Sequence, residues 1–112
     1  MNTSRKTNKR SSDPIDRLVH EQGLRIQDVH VHKELDVLLL LLSNGSVIKV
    51  RISDYPRLKR ASPDKLNRWD LISKGIGVHW EELDEDISLS GLIRNMALEE
   101  ATLRLNPQSG IV

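Results

Sequence analysis

The feature that most constrains this chain is a pair of aliphatic segments separated by a tight-turn sequence. Residues 37–42 form an unbroken run of six apolar residues, and after Val47 the residues 48–52 alternate apolar and charged side chains. Between them lies Ser43-Asn44-Gly45-Ser46, and an Asn-Gly pair accepts the positive φ angles of a type I′ turn. The sequence therefore predicts a β-hairpin whose first strand is covered on both faces and whose second strand turns its apolar side chains inward.

A further strand is predicted before this hairpin. Residues 24–31 alternate, so that one face would carry Ile26, Asp28, His30 and His32 and the other Gln27, Val29 and Val31. Alternation with a period of two is the spacing of a β-strand. We therefore expect a small three-stranded antiparallel meander at the centre of an α+β fold, with short helices packed on one side and a C-terminal helix.

The predicted helices begin at residues that can cap them. Pro14 follows Ser12 and Asp13, which predicts a helix over residues 14–22 that Gly23 ends. Ser53 and Ser62 each precede a proline-containing segment, and we expect them to cap helical turns over residues 54–60 and 63–69. The sheet is expected to resume at residues 70–73 and 77–80. Residues 87–93 read as an apolar beginning of the last helix, capped by Ser88 or Ser90 and ended by Asn106-Pro107.

Composition limits the class of protein. The 112 residues contain no Cys and only three aromatic residues, so we expect an aliphatic core without disulfides or thiolate metal sites. The first 13 residues lack an apolar segment, and no apolar run approaches the roughly 20 residues of a membrane span, so we expect a cytoplasmic protein without membrane contact. The predicted organisation is a disordered basic tail (1–13), an N-terminal helix (14–23), a domain (24–96) and a helix end with a tail (97–112).

A second informative stretch, GVHWEELDEDISLSGLI, covers residues 77–93. His79-Trp80 followed by Leu83-Asp84-Glu85-Asp86-Ile87, together with the hairpin and a Tyr-Pro-x-Leu helix, resembles the DUF2442 family of small bacterial proteins over about residues 24–93. The resemblance implies a compact α+β fold and an uncharacterised function, with regulatory or antitoxin-like roles suggested by the neighbours of some relatives. Family members often have Pro where this chain has Glu81, so its turn is less constrained.

The acidic residues in this stretch allow several interpretations. Five carboxylates in six positions, residues 81–86, resemble neither a calcium loop nor a glycosidase pair in a cleft. We expect Asp84 or Asp86 to accept backbone N–H bonds in the turn and to complement the positive end of the next helix, with the other carboxylates facing a basic, toxin-like partner protein. Trp80 is expected in the core, with His79 pointing the opposite way. His30 and His32 have the spacing of zinc or copper ligands but lack a predicted third ligand, so we expect no metal.

The basic residues support an alternative function. Residues 49–68 carry seven bases, of which Arg57, Lys59, Arg60, Lys65 and Arg68 form a basic patch suited to phosphate contacts. The shortage of aromatic residues and the equally large acidic segment oppose nucleic-acid binding. No catalytic ordering or nucleotide-binding motif is present, so neither an enzyme nor a cofactor is expected. The first hypothesis is therefore a non-enzymatic protein-interaction domain, an antitoxin-like or regulatory partner of a neighbouring gene product, and the alternative is a nucleic-acid-binding accessory protein.

Overall fold

Alternating aliphatic residues build two antiparallel sheets in the computed structural model, which describes residues 13–105. The first sheet has the order β1-β2-β3 and the second the order β4-β5-β6. The strands are β1 (Ile26–His32), β2 (Val37–Leu42), β3 (Val47–Arg51), β4 (Asp70–Ile72), β5 (Gly77–Trp80) and β6 (Glu85–Ser88). The α-helices are α1 (Pro14–Asp16), α2 (Pro56–Lys59), α3 (Pro63–Leu66) and α4 (Leu89–Leu105). These elements confirm the predicted α+β class with a C-terminal helix.

The predicted meander forms the first sheet. Leu38 pairs with Val50 and Leu40 with Ile48, and all four side chains are buried. Burying an aliphatic side chain of this size contributes roughly 1.5–3 kcal/mol, so this face is a main source of stability. The inward direction predicted for the apolar side chains of β3 is confirmed.

The turn between β2 and β3 differs from the prediction. The Gly45 amide donates to the Leu42 carbonyl over 3.0 Å, which makes Ser43 and Asn44 the central residues of the turn. A type I′ turn needs positive φ at both positions, but Asn44 is not among the described residues with positive φ. Gly45, with a φ of 88°, instead follows the turn in the left-handed region, as in three-residue hairpin loops. The hairpin is confirmed and its type I′ geometry is wrong.

Strand β1 contains a bulge that changes which residues face the core. The register passes from Ile26 opposite Leu42 to Asp28 opposite Leu41, so two positions of β1 advance against one of β2. Ile26 and Val29 are consequently both buried. The prediction that Ile26 shares a face with Asp28, His30 and His32 is therefore wrong, because a bulge reverses the alternation beyond it.

Ser53 bonds to the start of β2 rather than capping a helix. Its amide and hydroxyl donate to the Asp36 carboxylate over 2.8 and 2.6 Å, and these bonds, the hydroxyl first, lower the pKa of Asp36. Asp36 has a φ of 60° between a 3₁₀ turn (Lys33–Leu35) and β2. Helix α2 instead begins at Pro56 without a side-chain cap. The cap predicted at Ser53 is wrong, whereas Ser62 does accept the Lys65 amide at the start of α3.

The second sheet contains a strand that the sequence pattern did not predict. Residues 85–88 pair with β5, placing Ile87 opposite Val78 and Glu85 opposite Trp80. Helix α4 therefore begins at Leu89, two residues after the start of the segment predicted to begin it. The Ser88 hydroxyl accepts the Gly91 amide over 3.0 Å, so the predicted serine cap is present at Ser88.

The N-terminal helix has the predicted position but a mixed geometry. The Asp13 carboxylate accepts the Ile15 amide ahead of α1, and the chain continues as a π-helical segment (Arg17–Glu21). Gly23 then adopts a φ of 80°, as expected for a helix stop. The predicted basic tail and the Asn106-Pro107 helix end lie outside the described residues, apart from Asp13. No helix within residues 13–105 combines the length and apolar character that crossing a bilayer requires.

Candidate functional site

The acidic segment, residues 81–86, consists of a tight reverse turn between β5 and β6 (residues 81–84) and the first two residues of β6, and we call the whole segment the acidic turn. The Leu83 amide donates to the Trp80 carbonyl over 3.2 Å and the Asp84 amide to the Glu81 carbonyl over 3.3 Å. Asp84 has a φ of 52°, in the left-handed region that Asp adopts more readily than most residues. The turn therefore holds its carboxylates close to the end of β5.

Trp80 faces the core from the last position of β5. Its side chain is fully buried, and its indole Nε1 donates to the Leu66 carbonyl over 2.9 Å. Leu66 is the last residue of α3, so this bond joins the second sheet to the α3 helix. Leu83 is partly buried against the same core. The predicted core position of Trp80 is confirmed.

His79 points to the opposite face and lies between two carboxylates. Its Nε2 is 2.8 Å from Glu81 Oε1, and its Nδ1 bonds to the carboxylate of Asp86, its partner across the β5–β6 pair. These hydrogen bonds, that of Glu81 first, raise the pKa of His79 from 6.5 to about 8. Because both ring nitrogens meet carboxylates, the site favours the imidazolium form.

The acidic turn contacts the basic patch. The Arg57 guanidinium donates to the Asp84 backbone carbonyl and lies 3.7 Å from its carboxylate. Arg68 donates to both oxygens of Glu82, over 3.0 and 3.2 Å. The two charged segments, separated in sequence, thus form an ion-paired seam in the fold. Charge segregation along the chain is therefore partly neutralised in three dimensions.

The predicted capping role of the acidic turn is not what the hydrogen bonds show. Asp86 bonds to His79, Asp84 lies against Arg57, and the cap of α4 is the Ser88 hydroxyl. The sequence pattern missed this because it cannot show that β6 separates the turn from the helix. The expectation that Asp84 or Asp86 caps the helix is accordingly wrong.

A cleft lies beside this seam, between α2 and α3. Its volume is about 560 Å³. It is lined by Arg57, Arg60, Ala61, Ser62, Lys65, Glu82 and Leu83. The cleft thus gathers three of the five residues in the basic patch. Lys59 and Arg68 lie outside it, so the patch is divided by the fold.

One member of the histidine pair in β1, His30, makes a local contact with a carboxylate. His30 Nε2 lies 3.1 Å from Asp28 Oδ2, and both side chains are about half exposed. This contact, after the Val29 amide, lowers the pKa of Asp28. Among residues 13–105, no three or more His, Cys, Asp or Glu side chains are arranged to hold a metal ion.

The second half of α4 is a surface feature that the sequence interpretation missed. Leu89 and Leu92 are buried at the start of the helix, whereas Met96, Leu98, Leu103 and Leu105 are all exposed. We call residues 95–105 distal α4. The signal for it was in the sequence, since two pairs of apolar residues are spaced by seven positions.

Two sheets closed by short helices, with a charge-paired seam and an extended last helix, define a small α+β domain. The chain belongs to the DUF2442 family of proteins of unknown function, whose family model matches residues 26–97. The resemblance inferred from His79-Trp80 and the acidic turn is therefore confirmed.

Solved structures of similar proteins agree with this assignment. A protein of unknown function from Rhodospirillum rubrum is 29% identical, with a TM-score of 0.58 over 65% of this chain and 88% of that one. An uncharacterized protein from Chromobacterium violaceum, solved by NMR, is 29% identical, with a TM-score of 0.61 over 84% of this chain and 85% of that one. No curated protein matches the chain.

Proposed function

We propose that this protein is a non-enzymatic protein-interaction domain, an antitoxin-like or regulatory partner of a neighbouring gene product. The supporting observation is distal α4. The relative solvent accessibility of its exposed apolar residues ranges from 48% for Met96 to 83% for Leu105, so they are as exposed as polar residues on a protein surface. A helix that carries apolar side chains beyond its own domain gains stability when another surface covers them.

The arrangement of these side chains favours a partner with a groove. Met96 and Leu103 are seven positions apart and share one side of the helix, while Leu98 and Leu105 share another. Two positions along a helix turn the side chain by roughly 200°, so these sides are nearly opposite. A second copy packed alongside would cover one side only. A groove that encloses the helix covers both, and we assign distal α4 to such a groove on a different protein.

The acidic turn has a secondary place in this proposal. Its carboxylates remain accessible, with Glu81 84% and Asp84 93% exposed, and they can attract a basic partner. However, Arg57, Arg68 and His79 of the same chain already pair with most of these carboxylates. Exposed ion pairs also contribute little to affinity. We therefore place the main contact on distal α4 and retain the acidic turn as a contribution to the rate of association.

Co-purification with the neighbouring gene product tests the proposal. The double variant L98E/L105E should lose the complex, since it puts two charges into the covered apolar surface. A matched control is L35E/V47E, because Leu35 and Val47 are also exposed, at 67% and 55%, but lie outside α4. The control should retain the complex. Failure of the unaltered protein to bind its neighbour would refute the partner, and binding by L98E/L105E would refute the surface.

Nucleic-acid binding is the second candidate, and Arg60 and Lys65 support it. Neither has a carboxylate within ion-pair distance in the described part of the chain, so both are available to phosphates. Arg57 and Arg68 are less available because Asp84 and Glu82 hold them. A gel-shift assay with a salt titration tests it. Binding that weakens steeply with salt would support this candidate, and no shift at low ionic strength would eliminate it.

A further inference from the structure

The cleft between α2 and α3 concentrates positive charge that the fold does not balance. Arg57 and Lys65 come from the two helices, and Arg60 comes from the end of α2. Only Arg57 has an acidic partner, because Arg60 and Lys65 form no ion pair within residues 13–105. The one carboxylate of the lining, Glu82, is already bonded to Arg68. An incoming anion would therefore relieve the repulsion among these cations.

The lining of the cleft is mixed. Ala61 is buried and Leu83 partly buried, and both line the cleft together with Ser62. The volume of about 560 Å³ lies within the range of roughly 300–1,000 Å³ that binding pockets of proteins occupy. Such a lining suits a ligand that presents an apolar side chain between negatively charged groups.

We propose that this cleft binds an acidic peptide segment with a central apolar residue, contributed by the partner protein. This inference rests on the proposed interaction function but uses a surface separate from distal α4. Carboxylates of the segment would contact Arg60 and Lys65, with Arg57 held in position by Asp84. The apolar residue would contact Leu83 and Ala61.

The surroundings of the cleft favour a peptide over a nucleic acid. Two exposed carboxylates of the acidic turn, Glu81 and Asp84, lie on either side of Leu83 in the chain. A phosphate backbone running through the cleft would meet this negative charge, whereas a short acidic peptide places its charges only where the cations lie. Base stacking also requires exposed aromatic side chains at the site, but Trp80 is fully buried, and the partly buried Tyr55 and Trp69 do not line the cleft.

Binding of a fluorescein-labelled peptide, Glu-Asp-Leu-Glu-Asp, measured by fluorescence polarisation at low salt, tests the inference. The unaltered protein should bind it, and R60A/K65A should weaken binding by about tenfold or more, since two charge-assisted contacts are lost. The matched control R17A/K49A removes the same charge from exposed residues that do not line the cleft. It should bind nearly as well as the unaltered protein.

Further arms separate the outcomes. In an NMR titration, the amides of Ser62, Lys65 and Leu83 should shift most. Absence of peptide binding, equal loss in both double variants, or displacement of the peptide by single-stranded DNA at equal concentration would overturn the inference. The L98E/L105E variant should bind the peptide normally, so a failure of the α4 interface and a failure of the cleft give different results.

Discussion

The two faces of β5 use adjacent residues for different purposes. Trp80 and Val78 point into the core and are fully buried, and the only polar side-chain atom of Trp80 is bonded to the Leu66 carbonyl. His79, between them in sequence, points outward and is held by Glu81 and Asp86. One strand therefore joins the hydrophobic core to a surface charge network.

The difference indicates how the family signature should be interpreted. The tryptophan is explained by packing and by its bond to α3, so it needs no functional role. The histidine and the carboxylates lie on the surface, where their contribution to stability is small and their charge can affect binding. A motif of consecutive residues thus combines a structural position with a chemically accessible one.

The largest expected effect on stability comes from truncating Trp80, which faces the core, rather than His79, which faces outward. W80A should lower the free energy of unfolding by about 3–5 kcal/mol, because it leaves a large cavity and an unbonded Leu66 carbonyl. Denaturant unfolding of W80A and H79A measures the contrast. H79A should cost far less, and equal costs for the two variants would contradict the division of roles between the faces.

A smaller loss of stability is expected from a substitution at Gly77, the first residue of β5. A Cβ on Gly77 would lie 2.9 Å from the Ile87 carbonyl and 3.2 Å from Ile72 Cδ1, in the closely packed second sheet. G77A should therefore cost roughly 1–3 kcal/mol through overpacking, measured by the same unfolding assay. G91A, at a helical position, would meet mainly the Ser88 hydroxyl, a side-chain end that can rotate away, so it should cost less than G77A even though the cap of α4 is weakened. Unchanged stability in G77A would show that the β5–β6 pair can shift without cost.

The sequence predicted those parts of the fold that depend on neighbouring residues. The hairpin at Asn44-Gly45, the cap at Ser62 and the cap at Ser88 each follow from a few adjacent positions. Trp80 was also placed correctly, since a large apolar residue in an alternating strand favours the core.

The errors involve contacts between distant residues. Ser53 looks like a helix cap locally, yet Asp36, 17 positions earlier, takes its hydrogen bonds. Arg57 and Asp84 are 27 positions apart, and no periodicity in the sequence relates them. The exposure of distal α4 has a different cause, because apolar residues at helical spacing are usually buried, and only the three-dimensional fold shows that this helix extends beyond its core.

The outer face of β5 should make stability depend on pH. The folded pKa of His79, about 8, exceeds the ordinary value of 6.5 expected for the unfolded chain. Its stabilising contribution is therefore complete below pH 6.5 and is lost as the pH rises through 8. Thermal melting from pH 6 to 9 should show a falling Tm, and H79Q should reduce that fall. An equal fall in H79Q would exclude His79 as its source.

The smallest expected effect concerns the seam beside β5. Arg68 and Glu82 form a two-oxygen contact, but their side chains are 60% and 45% exposed, so solvent screens the pair. A double-mutant cycle with R68Q and E82Q should give a coupling of about 0.2–1 kcal/mol that decreases with added salt. Glu82 also lines the cleft, so binding of the labelled peptide to E82Q distinguishes two roles for its charge. If the pair is only a surface contact, peptide binding should be unchanged, whereas stronger binding in E82Q would show that Arg68 leaves part of that negative charge unbalanced.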